Sequence, residues 1–117
     1  MARPLNPVDI ENSIREISAR IAKGVPFASE RYKEFLEADR EFDRAYAQAY
    51  LAAEGSIKDK EQIARLETME EREKRDVAEA AYKYADRLAK ALEGELRATQ
   101  SLGASVRAMY SVAGRGE

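Results

Sequence analysis

Apolar residues recur at helical spacing along most of this chain, and nowhere do they alternate as a half-buried strand would. Ile10, Ile14, Ile17 and Ile21 follow one another in steps of four, three and four. That is one apolar stripe on a first helix of about four turns. Asn6 before Pro7 reads as an N-cap followed by an N1 proline, with Asp9 favourable in the first turn. Lys23-Gly24-Val25-Pro26 reads as its end. Ser29 can cap a second helix running to about Ala53. Phe35, Phe42, Tyr46, Ala49 and Tyr50 share its broad face, Leu36 and Ala45 border it, and Gly55 stops it after Glu54.

Ser56 can start a short charged segment with a weak apolar face of Ile57, Ile63 and Leu66. Thr68 followed by Glu71 has capping-box spacing for a third long helix. Its apolar stripe is read as Val77, Ala81, Tyr84, Leu88, Ala91 or Leu92, and Leu96. Glu71 with Arg75, Glu79 with Lys83 and Asp86 with Lys90 form acid-to-base pairs four residues apart on its outer face. Gly94 and Gly103 each weaken a helix by about 1 kcal/mol relative to alanine. At Gly103 the helix is expected to bend, break or pack closely on a neighbour. A terminal helix then runs to Ala113, and Gly114-Arg115-Gly116 frays.

The pattern predicts a single all-α domain with helices over about 7–22, 29–53, 57–66, 68–100 and 101–113. Helices two and three form an antiparallel long-helix hairpin, the isoleucine helix docks on it, and a C-terminal helix serves oligomerisation. Stripes this narrow leave a three-helix monomer marginally stable, and assembly through the leftover apolar residues is the remedy.

Composition narrows the chemistry. Charged residues make up 36% of the 117 and aromatics 8%, which suits long solvated helices better than a thick globule. The sequence has no cysteine and no histidine, so disulfides, thiolate metal sites and imidazole bases are excluded. No apolar run approaches the ~20 residues that span a bilayer, and the N-terminus lacks signal- or transit-peptide character. The expectation is a cytoplasmic protein with no membrane contact. The net charge of -2 is segregated: about +1 over residues 1–28, -3 over 29–55, -2 over 56–95 and +2 over 96–117.

From Leu96 onward no acid occurs until Glu117, while Arg97, Arg107 and Arg115 remain. Their separations of ten and eight residues approximate whole helical turns, so one side of a continuous helix would carry all three. Arginine forks suit phosphates and Tyr110 offers a stacking face to an unpaired base. Three arginines per chain are few, so useful affinity needs several subunits. Leu102, Gly103, Val106, Met109 and Tyr110 are the expected oligomer interface. Arg20 and Lys23, with Arg15, Arg31 and Lys33 near Gly24, form a second basic group whose alternative is a solvated face.

Catalytic constellations are absent. Glu34, Glu37, Asp39, Glu41 and Asp43 have the spacing of magnesium-binding carboxylates in helical nucleotide hydrolases. Arg31, Lys33, Arg40 and Arg44 interleave them, as on a salt-bridged solvated face. Ser101 and Ser105 lack any histidine to activate them, and no phosphate-binding glycine loop occurs. The reading is of no enzyme, no metal and no cofactor.

The order of these features resembles the UvsY-like recombination mediators of phages, and small helical proteins of actinobacteriophages. The resemblance is carried by Tyr32-Lys33-Glu34-Phe35-Leu36, by Tyr50 to Gly55, and above all by Gln100 to Tyr110, QSLGASVRAMY. It implies a ring-like homo-oligomer assembled through the C-terminal region, binding single-stranded DNA in the host cytoplasm. Such a protein helps load a recombinase onto strands covered by single-strand-binding protein. One departure is visible: where the family has basic residues shortly before the turn, this chain has Ala47 and Ala49. The alternative is a helical protein-interaction module, a structural adaptor or an inhibitor of a host factor, without DNA binding.

Overall fold

The computed structural model describes residues 6–115, with side chains through Ala113, and every regular element in that range is helical. Helix α1 spans Pro7–Ala52, α2 spans Ile57–Glu67 and α3 spans Met69–Arg115. The expected hairpin is present, since long α1 packs against long α3 with α2 between them in the chain. Contacts divide the chain into two compact units. One joins the chain up to Pro26 with the chain from Arg87 onward, and the other is Phe27–Asp86.

Both long helices are continuous where breaks are expected. The separate helices over 7–22 and 29–53 are one helix, and so are those over 68–100 and 101–113. The cause is a repeat that runs through the breaker residues. On α1 one line of positions runs through Ile10, Ile14, Ile17, Ile21, Gly24, Ala28, Arg31, Phe35, Ala38, Phe42, Ala45 and Ala49, each buried or half-buried. Their steps alternate four and three without interruption, the 3.5-residue period of a coiled-coil seam. Pro26 lies between two seam positions and is itself exposed, so the seam passes it although its ring removes one helical hydrogen bond.

On α3 the covered line is Glu71, Arg75, Ala78, Tyr82, Ala85, Ala89, Leu92, Leu96, Thr99, Gly103 and Val106, again in steps of four and three. Of the expected inner stripe Ala81, Leu92 and Leu96 are buried or half-buried, Leu92 rather than Ala91 taking its position, but Val77, Tyr84 and Leu88 are exposed. Two parallel apolar lines run along α3, and the bulkier one is not the line that packs. The packed line mixes small and large residues: Gly103 receives Ile10, while Tyr82 meets Phe35 with ring centroids 6.2 Å apart. A Cβ built on Gly103 would lie 3.0 Å from Ile10 Cγ2, so close packing is this glycine's role.

Helix ends follow local chemistry. The Asp9 amide donates to Asn6 Oδ1 at 3.0 Å, which caps α1. Gly55 adopts φ +119° at the turn after α1, a conformation suited to glycine. Ser56 and Asp59 form a capping box on α2, with the Asp59 amide donating to Ser56 Oγ at 3.2 Å. The capping box expected from Thr68 and Glu71 does not form. Thr68 closes α2 with φ -112° and ψ 18°, and its hydroxyl donates backward to the Ala64 carbonyl at 2.6 Å. α3 begins one residue later, so Thr68 never takes the extended conformation of an N-cap.

Gly24 has open space around a built Cβ, so Gly24→Ala should raise stability by about 1 kcal/mol, whereas Gly103→Leu should lower it by about 1–3 kcal/mol through overpacking on Ile10. Urea unfolding followed by circular dichroism at equal protein concentration reads both changes. Pro26→Ala should restore the missing helical hydrogen bond and raise the unfolding midpoint, by up to about 3 kcal/mol in free energy. An unchanged midpoint would show that α1 has already relaxed around the ring.

Candidate nucleic-acid interface

The unit Phe27–Asp86 gathers aromatic and cationic groups on one side of α1. Phe42, Tyr46 and Tyr50 are spaced four residues apart, so the helix stacks them in a row along its axis. The Tyr46 ring centroid lies 6.3 Å from that of Phe42 and 6.4 Å from that of Tyr50. All three are half-buried. Cations come to the row from the other two helices. Lys60 Nζ of α2 sits 5.9 Å from the Tyr50 ring centre, and the Arg75 guanidinium of α3 sits 5.7 Å from that of Phe42. Both distances fall within cation–π range.

Between these ends opens a cleft of about 460 Å³, lined by Phe42, Asp43, Tyr46, Arg65, Thr68, Arg72 and Arg75. The short α2 and its immediate join to α3 deliver Arg65 and Arg72 on either side of buried Thr68. Arg75 is held from α1, its Nε 2.7 Å from Asp39 Oδ1, a close ion pair whose N–H is not aligned for a hydrogen bond. Arg65 and Arg72 are exposed and make no ion pair among the described residues. Two free guanidinium forks beside a tyrosine can take phosphate oxygens while the ring takes a base face.

A second cleft in the same unit has the opposite character, lined by Glu34, Glu37, Ala38, Glu41, Glu71 and Lys74. Among the described residues no three carboxylates gather as metal ligands. Glu34 pairs with Arg31 at 3.1 Å and Glu41 with Arg44 at 3.6 Å, as on a salt-bridged face. Glu79 and Lys83 meet at 2.8 Å as expected, and the hydrogen bond and charge of Lys83 hold the Glu79 carboxyl below its ordinary range. Arg75 departs from expectation, pairing across to Asp39, while Glu71 Oε2 is buried without a hydrogen-bond partner.

The residues singled out from the sequence lie in the other unit. Arg97 and Arg107 are exposed on α3, and Arg20 and Lys23 are exposed on α1. Arg115 ends α3, with its side chain outside the described residues. The expected oligomer interface divides in two. Gly103 and Val106 are buried on the inner line of the chain's own core, so they present no free face. Leu102, Met109 and Tyr110 are exposed.

In the sequence the aromatic row shows only as one broad face of a helix, and nothing there links it to Lys60, Arg65 and Arg72. These bases alternate with Asp59, Glu61, Glu67 and Glu70, so no local charge run marks them. Only the turn at Gly55 and the junction at Thr68 fold them back over α1. No protein-family model, curated protein or solved structure matches this chain.

Proposed function

We propose that this is a non-enzymatic, oligomeric protein that binds single-stranded DNA through the aromatic row and arginine cleft of Phe27–Asp86. The observation that carries the reading is the adjacency of Tyr46 to two arginines free of ion pairs. Aromatic rings stack on any base and arginines neutralise any phosphate, so such a site favours unpaired strands without reading sequence. The exposed Arg97 and Arg107, with Arg20 and Lys23, add phosphate contacts elsewhere on each chain. Assembly of several chains multiplies all of them. The layout shared with UvsY-like mediators supports an accessory role in recombination or replication, with a recombinase or single-strand-binding protein as partner.

A labelled oligonucleotide titrated at several salt concentrations tests this. Affinity should fall steeply with salt, and Arg65→Gln combined with Arg72→Gln should flatten the log–log slope by about 1.4, at about 0.7 per phosphate on a single strand. Tyr46→Phe should retain affinity, whereas Tyr46→Ala should weaken it by about 5- to 150-fold, the scale of one stacked base. No binding at low salt, or binding indifferent to salt, would overturn the reading in favour of a protein-interaction module.

A further inference from the structure

We infer that the uncovered apolar line of α3 between Leu88 and Val112 is the seam of an antiparallel homodimer, its occupant being the same line of a second copy. The inference deepens the assembly part of the proposed function and does not depend on DNA.

From Leu88 to Val112 every third or fourth residue falls on one line of α3, and all of them are exposed. Met109 and Val112 each keep 67% of their surface, far from the burial expected of apolar side chains at helical spacing. The line keeps the same alternating steps as the inner line that packs on α1. A helix supercoiled about one such seam holds a second seam of equal period at a constant angle, so another helix can follow it without drifting off. Beside the line runs a column of small residues, Gly94, Ser101 and Ala108, and open space surrounds a Cβ built on Gly94. Small flanking residues allow two helices to approach closely.

The choice of a second copy rests on self-complementarity. Two α3 helices laid antiparallel about Gln100 place Leu88 opposite Val112, Ala91 opposite Met109 and Ala98 opposite Leu102 of the second copy. In the latter two layers a large residue meets a small one. The only charged group on the line, Glu95, then faces Ser105 of the second copy, the only hydroxyl on the line. The serine can donate to the carboxylate there. Within one chain Glu95 and Ser105 are ten residues apart, about 15 Å along the helix, and cannot meet. The paired segment is about 36 Å long.

Sedimentation equilibrium of the full chain without nucleic acid tests the seam. Wild type should show twice the 13.1 kDa chain mass. Ser105→Glu sets like charges against each other in the two Glu95–Ser105 layers of the seam and should weaken the dimer by about 10- to 100-fold. Adding Glu95→Lys to that variant should restore it, with helix content by circular dichroism unchanged throughout because all these positions are exposed. A monomer at every concentration, a mass indifferent to Ser105→Glu and Leu102→Asp together, or failure of Glu95→Lys to rescue would overturn the proposal. Because no oligonucleotide is present, failure of the seam is distinguishable from failure of DNA binding.

Discussion

A single 3.5-residue repeat, matched in period on α1 and α3, underlies everything else in this protein. Each seam mixes sizes: α1 brings four isoleucines and two phenylalanines among alanines and Gly24, and α3 brings Tyr82, Leu92, Leu96 and Val106 among alanines and Gly103. Gly103 receives Ile10, and Tyr82 meets Phe35. The matched period lets the helices run past features that ordinarily end them. Pro26 and Gly103 each weaken a helix locally, yet packing on a partner decides helical structure in most proteins more than propensity does.

Each of the two units has a seam of its own character. In the unit joining the chain's two ends, the seam is apolar, with Ile10, Ile17, Leu92 and Val106 buried. In Phe27–Asp86 the seam admits Arg31, Glu71 and Arg75, whose aliphatic stems can pack while their heads reach polar groups. The compensation is incomplete: Arg31 Nε and Glu71 Oε2 have no hydrogen-bond partner. That charge shapes the candidate site, because Arg75, paired with Asp39, lies over Phe42 and lines the arginine cleft. A purely apolar seam there would have left Phe42 without the Arg75 guanidinium over its ring.

Much of this was legible from the chain. The all-α class, the hairpin, the caps at Asn6 and Ser56 and the turn at Gly55 follow from spacing and from backbone chemistry that acts over a few residues. The isoleucine stripe is buried or half-buried as its period demands. Less legible was the face of α3 that packs. Val77, Tyr84 and Leu88 are individually more hydrophobic than Ala78, Ala85 and Ala89, and a single helix's pattern ranks them first. The ranking fails because burial is decided by fit to another surface, which the pattern of one helix does not carry.

The candidate site divides along the same line. Sequence alone determined which residues are available: arginines without histidine or cysteine, tyrosines at helical spacing, and a tail stripped of acids. It also determined the caps at Asn6 and Ser56 and the turn at Gly55, since capping and positive-φ positions depend on near neighbours. Tertiary structure decided the rest. It assigned Gly103 and Val106 to the chain's own core and left Leu102 and Met109 outside, and it folded Arg65 and Arg72 beside Tyr46. Those outcomes depend on contacts between residues far apart in the chain. Such contacts are selected by volume and charge across a gap, and no periodicity within one helix encodes them.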